Sequence, residues 1–334
     1  VVPLFWRDEM FTWDELERKY NMKLKQPPLR LSGGLMHKMY KLETDQGIYA
    51  LKLLNPFIMQ RKDAMENYRE AERLESILEQ KNIPILPALS VYGSKMQEME
   101  GFYFYLFPYY RGTVLKNSEV TEEHCRKIGK ILARIHSIDK KNGDGILPKM
   151  SIDWKFYLDR LKERNTLLYE LLGEHYERIL ESQERGNCAR TKLPDVLAIC
   201  HNDMDRKNVL WSGTDYRIID LECLAYQNPF LEVFEMALCW AGYEEGKVDL
   251  ALFCAFLEGY FEQGGKIPVS WEVLYDCNNM RLQWLEYNLK RALLIDCGKN
   301  EQEIGEKQVM ETIRQIDLYA EIKEEILKVC RKNF

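Results

Sequence analysis

The 334-residue chain has no C-x-x-C pair, no apolar run of membrane-spanning length, no internal repeat, no low-complexity tract and no excess of basic charge. Each absence excludes something. Its 47 Lys and Arg stand against 53 Asp and Glu, a net charge of -6, so the footprint of a nucleic-acid binder is missing. The apolar stretches around 102–110 and 250–256 are too short to cross a bilayer, which takes about 20 residues. Nine cysteines are scattered, and Cys200, Cys239 and Cys254 lie inside apolar runs. That is the pattern of reduced, mostly buried thiols in a cytoplasmic protein. The length suffices for one large domain or for two lobes with substantial cores.

What is present is concentrated in one segment. His201-Asn202-Asp203-Met204-Asp205-Arg206-Lys207-Asn208 has the form His-x-Asp-x4-Asn, and an apolar run soon after it ends in Asp220-Leu221-Glu222. A transferred phosphoryl group needs in-line positioning and charge neutralisation more than a covalent partner. Asp203 is placed to accept a hydrogen bond from an attacking hydroxyl and to take its proton late. Asn208 offers a neutral oxygen and Asp220 an anionic one, the donors a hard cation such as Mg²⁺ prefers. His201, also in the catalytic set, reads as a brace for the loop backbone. The flanks read as strands: 196–199 and 209–211 around the loop, and 216–219 leading to Asp220.

A second half must grip the phosphates. Residues 29–42 read as strand, tight turn and strand, with Ser32, Gly33 and Gly34 letting the backbone approach phosphate oxygens. Next, Ile48-Tyr49-Ala50-Leu51-Lys52-Leu53-Leu54 is an alternating strand with one Lys among apolar residues, which either snorkels or meets an anion. The helix expected over 61–80 would supply a carboxylate for Lys52. Glu70 is the first choice, with Glu66 and Glu72 as alternatives; any of them also fits a solvated helix face.

These markers, with Ile83-Pro84, Leu132-Ala133-Arg134-Ile135-His136 and Asn208-Val209-Leu210, occur in a familiar order over roughly residues 30 to 240. The chain resembles the aminoglycoside phosphotransferase and choline kinase superfamily of small-molecule kinases. The resemblance implies a protein-kinase-like, two-lobed α+β fold and transfer of the γ-phosphate of ATP or GTP, with Mg²⁺, to a hydroxyl of a small, often cationic acceptor. It also implies that the backbone at Phe107 to Tyr110, including Tyr109, lies beside the base; His136, on a position matching the resemblance, reads as making a structural hydrogen bond to the catalytic region rather than as a catalytic group. Leu221-Glu222 replaces the Phe-Gly of protein kinases, no Ala-Pro-Glu segment follows, and Asn202 stands where protein kinases usually carry Arg. A regulated protein kinase is therefore not expected.

The expected organisation is a nucleotide-binding lobe over 1–107, a hinge over 108–113 starting at Pro108, and a helical lobe over 114–334 with the catalytic loop at 200–208. A short helix near 13–20 opens the first lobe, and an aromatic strand at 102–107 closes it. In the second lobe, Thr121 caps a helix, a helical insert covers 153–183, and three or four helices follow the catalytic segment. They would wall the acceptor pocket, with Glu232, Glu235, Trp240, Trp284, Glu286 and Tyr287 as candidate contacts, joined by Asp205 and by Glu222, which alternatively supports a second metal. Acids with aromatics suit an amine-bearing acceptor, though the same residues also serve as core and solvated face. A sugar, homoserine-like or macrolide acceptor, or a kinase-fold binding protein of the spore-coat type, are the competing expectations. No nucleic acid or membrane partner is expected.

Overall fold

The computed structural model describes residues 11–31, 37–143, 148–295, 297–298 and 301–334. The expected glycine turn, with Ser32, Gly33 and Gly34, lies outside the described residues. In chain order the elements are α1 (Trp13–Tyr20), β1 (Leu29–Leu31), β2 (Lys38–Glu43), β3 (Ile48–Leu53), α2 (Pro56–Met59), α3 (Ala64–Gln80), β4 (Gln97–Met99) and β5 (Phe102–Pro108). Then come α4 (Glu122–Ile138), β6 (Lys140–Asn142), α5 (Trp154–Arg164), α6 (Thr166–Arg190), β7 (Val196–Cys200), β8 (Val209–Ser212), β9 (Asp215–Ile218) and β10 (Ala225–Gln227). The chain continues through α7 (Pro229–Trp240), α8 (Leu250–Glu262), α9 (Trp271–Cys277), α10 (Met280–Ala292), α11 (Gln302–Glu321) and α12 (Lys323–Asn333). The α+β class holds: an antiparallel sheet comes first, and helices dominate after it. Six helices, not three or four, follow the catalytic segment among the described residues; α9 is short, and Asn278-Asn279 breaks it from α10.

By packing, the chain forms two compact units. One comprises the described part of Phe5–Lys116 together with His201–Ala225; the other comprises Asn117–Cys200 and Tyr226–Phe334 where described. The catalytic segment thus packs with the sheet, whereas the sequence boundary at 107–113 had left it with the C-terminal helices. Backbone pairing explains this. Trp211 and Thr113 exchange backbone hydrogen bonds, Leu86 N–H donates to Ile218 O, and Ile218 N–H donates to Pro84 O.

The first unit is built on a five-stranded antiparallel sheet in the order β1-β2-β3-β5-β4. Strand alternation sorts its faces. Leu51, Leu53 and Phe104 pack with Leu16 of α1 in one apolar core. Lys52 and its cross-strand neighbour Tyr105 point the other way, where Tyr105 packs with Tyr68 of α3. The alternation therefore sends a lone Lys to the face opposite the apolar core.

The second unit is helical. Thr121 caps α4 as expected, in a reciprocal capping box with His124. Trp154, Leu168, Leu285 and Ile313 bring α5, α6, α10 and α11 to one core. Helices α4 and α8 meet backbone to backbone: a Cβ on Gly129 would overlap the Phe256 carbonyl oxygen, and one on Gly259 that of Arg126. Gly129→Ala should destabilise the protein by about 1–3 kcal/mol through overpacking, read as a lower urea midpoint. His136, at the end of α4, is buried and structural in its contacts: Nε2 lies 2.7 Å from a Glu232 oxygen and Nδ1 3.0 Å from the Tyr260 hydroxyl. No described helix is long and apolar enough to cross a membrane.

Candidate active site

The catalytic loop follows β7 through Asn202, whose left-handed φ of 65° turns the chain and whose side-chain amide donates to Cys223 O at 2.8 Å. Asn is among the few residues that adopt this conformation readily. His201 is fully buried. Its Nδ1 accepts the Asp203 N–H at 3.3 Å, which leaves the ring proton on Nε2, 3.1 Å from Ile219 O. The ring thus ties the loop to the strand end before Asp220, as a brace would.

Asp203 is held on both oxygens. Asn208 Nδ2 donates to Oδ2 at 2.9 Å, and Lys207 Nζ to Oδ1 at 3.1 Å. Burial, reinforced by the neighbouring Asp205 charge, raises its pKa above the ordinary aspartate value against the pull of Lys207. Asn208 Nδ2 also donates to the Asp203 carbonyl at 2.7 Å, so the side-chain oxygen Oδ1 is the end left for a cation. Asn208 O accepts the Ile219 N–H at 2.9 Å, which sets Asn208 beside the residue preceding Asp220. Asp220 adopts φ 64°, another left-handed position that a short polar side chain tolerates.

Asp205 is engaged within the loop itself. It is buried, caps the short turn Arg206–Asn208 by accepting the Lys207 N–H at 2.8 Å, and pairs through its other oxygen with Lys207 Nζ at 2.8 Å. Its acidity shapes the loop.

Lys52 meets its anions, but not the expected one. Its ammonium pairs with both Asp220 and Glu222. Burial works against the charged form, yet the two carboxylates outweigh it and raise the Lys52 pKa. Glu70 instead forms a two-bond pair with Arg73, at 2.7 and 2.8 Å. The reason is helical phase. Tyr68 and Ala71 define the buried face of α3, and Glu70 lies about 200° around the helix from Tyr68. Glu66 is displaced equally the other way. Glu72 does point inward, where it accepts from Tyr105 OH at 2.9 Å and Met96 N–H at 3.0 Å.

Glu222 is the residue whose role changes most. One oxygen takes Lys52; the other lies 3.0 Å from Nε2 of His37, a residue the sequence did not single out. Burial alone would raise the Glu222 carboxyl, but Lys52 and His37 hold it at about 2. A depressed carboxyl contributes stability above its unfolded pKa and loses it as pH falls through the folded one. Wild type should therefore exceed Glu222→Gln in stability above pH 4.5 and lose that advantage as pH falls towards 2, as followed by acid titration of unfolding.

Phe107 pairs opposite Ala50, and the Tyr109 N–H donates to Ile48 O at 3.1 Å, so that amide is already used by the sheet. The acceptor candidates on helices belong to the second unit. Glu232 and Trp240 are core residues. Glu286 accepts from Tyr157 OH and Lys290 Nζ, each at 2.8 Å. Glu235 has a buried oxygen without a hydrogen-bond partner, and Arg281 Nη2 lies 4.0 Å from it. Trp284 and Tyr287 are stacked at 5.3 Å and partly exposed.

Residues 29–274 match the phosphotransferase enzyme family. The chain belongs to that family. It is thus a phosphotransferase enzyme. Among solved structures its fold is similar to that of spectinomycin phosphotransferase in complex with ADP and spectinomycin, at 14% identity and TM-score 0.68, covering 92% of this chain and 97% of the other. It is also similar to an amicoumacin kinase in complex with AMP-PNP and Ca²⁺, at 13% identity and TM-score 0.61 over 92% and 93% of the two chains. A third similar fold is Plasmodium vivax ethanolamine kinase, at 16% identity and TM-score 0.54 over 91% and 85%. No curated protein sequence matches the chain.

Proposed function

We propose that this phosphotransferase moves the γ-phosphate of ATP or GTP, with Mg²⁺, to a hydroxyl of a small amine-bearing acceptor, and that Asp203 is the base. The observation that carries the reading is the fixed carboxylate of Asp203 beside Asn208 and, through the Asn208–Ile219 backbone bond, next to Asp220. Asp203 orients the acceptor hydroxyl and takes its proton as the phosphoryl group leaves the nucleotide. Its raised pKa suits a proton acceptor better than an ordinary aspartate would.

The donor set fits Mg²⁺. Asn208 Oδ1 and the Asp220 carboxylate are hard oxygens, and the Lys52 ammonium lies against Asp220, which supports a cationic partner at that carboxylate. Bound Mg²⁺ would neutralise charge on the phosphate oxygens. Lys52 takes the phosphates, and Ser32, Gly33 and Gly34 contribute backbone to them. Phe107 and Tyr109 border the base. That similar folds carry ADP and spectinomycin, AMP-PNP with Ca²⁺, or the name ethanolamine kinase supports a nucleotide donor and a small acceptor.

For the acceptor, the acids and aromatics of the chain after the His201–Asn208 loop support a cationic amine as the class to test first. A nucleotide-consumption screen over hydroxylated amines, with Asp203→Ala as blank, tests the proposal. Consumption dependent on an amine and absent from the blank supports it; consumption dependent only on sugars or macrolides overturns the amine-bearing class.

A further inference from the structure

We propose that His37 is a positioning residue for the phosphate-gripping lysine, acting through Glu222. The inference rests on the reading of Lys52 given above. The Lys52 ammonium has two partners, and one of them, Asp220, is also the proposed cation ligand. Were Asp220 to hold a metal, Glu222 would be the carboxylate left to Lys52. A carboxylate anchored through one oxygen still swings about its side chain, so its second oxygen has to be fixed as well. His37 fixes it.

The histidine is itself fixed. It is only 6% exposed, and Nδ1 accepts the Asn55 N–H at 3.0 Å. That bond leaves the ring proton on Nε2, where it faces Glu222 Oε1 at 3.0 Å. Asn55 lies just beyond β3, the strand that carries Lys52. The chain of contacts therefore closes on itself: Lys52, Glu222, His37, Asn55, and back along the strand to Lys52. Helix α3 adds the Tyr68 hydroxyl, 3.3 Å from His37 Nε2. Burial, with the Glu222 charge, pushes that hydroxyl to higher pKa and keeps it neutral. The helix thus presents an uncharged group on the face where a lysine-pairing acid was expected. The pairing acid comes from the segment after Asp220, and His37 sets its direction.

The test is calorimetric binding of Mg·ATP and of adenosine to the full chain. The variants are Lys52→Met, His37→Leu, His37→Asn and His37→Gln, each with its melting temperature recorded. Asn keeps an acceptor for Asn55 but cannot reach Glu222; Gln places a donor where Nε2 stands. We expect Lys52→Met, His37→Leu and His37→Asn each to weaken Mg·ATP binding by about tenfold or more, the usual scale for a residue supporting a ligating group. Adenosine affinity should stay near wild type, and His37→Gln should recover most of the loss. Wild-type Mg·ATP binding by His37→Asn, with Lys52→Met impaired, overturns the inference and leaves the Lys52 reading standing. Unimpaired Lys52→Met overturns both. Equal losses of Mg·ATP and adenosine, or no recovery in His37→Gln, mean that His37 only supports the fold and overturn the inference. If His37→Leu fails to fold, the Asn and Gln pair decides alone.

Discussion

Asp203→Ala should lower turnover by about 10²–10⁴ through loss of base catalysis, while nucleotide binding stays nearly intact. The separation follows from how the loop is held. Asn208 Nδ2 bonds both the Asp203 side chain and the Asp203 carbonyl, and the second bond survives truncation. His201 still accepts the residue 203 amide and reaches Ile219 O, so the loop keeps its course. Lys207 keeps Asp205 as partner. What disappears is the carboxylate proposed as the base. Initial rates with an acceptor found by screening, set beside calorimetric nucleotide affinity, check this. Turnover unchanged by the substitution would remove Asp203 from the mechanism.

Asp220→Asn should cost about 10²–10³ in turnover, the scale for deleting one preorganised charge-stabilising group, and should raise the Mg²⁺ concentration needed for half-maximal rate. Asn is the clean choice here, because position 220 sits in the left-handed region that Ala would enter only under strain. Lys52 keeps Glu222, so the substitution removes the proposed anionic cation ligand without leaving the ammonium unpaired. Rates measured across a Mg²⁺ titration decide the matter. A wild-type rate and midpoint would mean that Asp220 holds no cation.

The parts of this site that could be read in the sequence are those whose partners lie close along the chain. His201, Asp203 and Asn208 share one loop, and residue types at fixed spacing describe their geometry almost completely. Asp205 sits in the same loop, but its role as a turn cap depends on a bond to its own near backbone, which the motif does not announce. Lys52 was legible as a lysine needing an anion; the identity of that anion was not. Choosing among Glu66, Glu70 and Glu72 takes the rotational setting of α3 on the sheet, and helical periodicity alone leaves that setting open. Glu222 and His37 are 185 residues apart, so nothing local joins them. Helix number after Asp220 was undercounted because short helices separated by polar breaks look like fewer, longer ones.

The division of the sheet unit into two stretches of chain has a consequence for biosynthesis. A ribosome delivers Lys52 168 residues before Asp220 and 170 before Glu222. In that interval the emerging strands can pair, and the apolar side around Leu51 and Leu53 can close over α1. The opposite side holds an ammonium whose two carboxylate partners have yet to be made, and burying it dry without them would be strongly unfavourable. The nascent unit is therefore half-finished by chemistry, hydrated around Lys52 until the Asp220-Leu221-Glu222 turn arrives. Completion of the active centre and closure of that side of the sheet become the same late event.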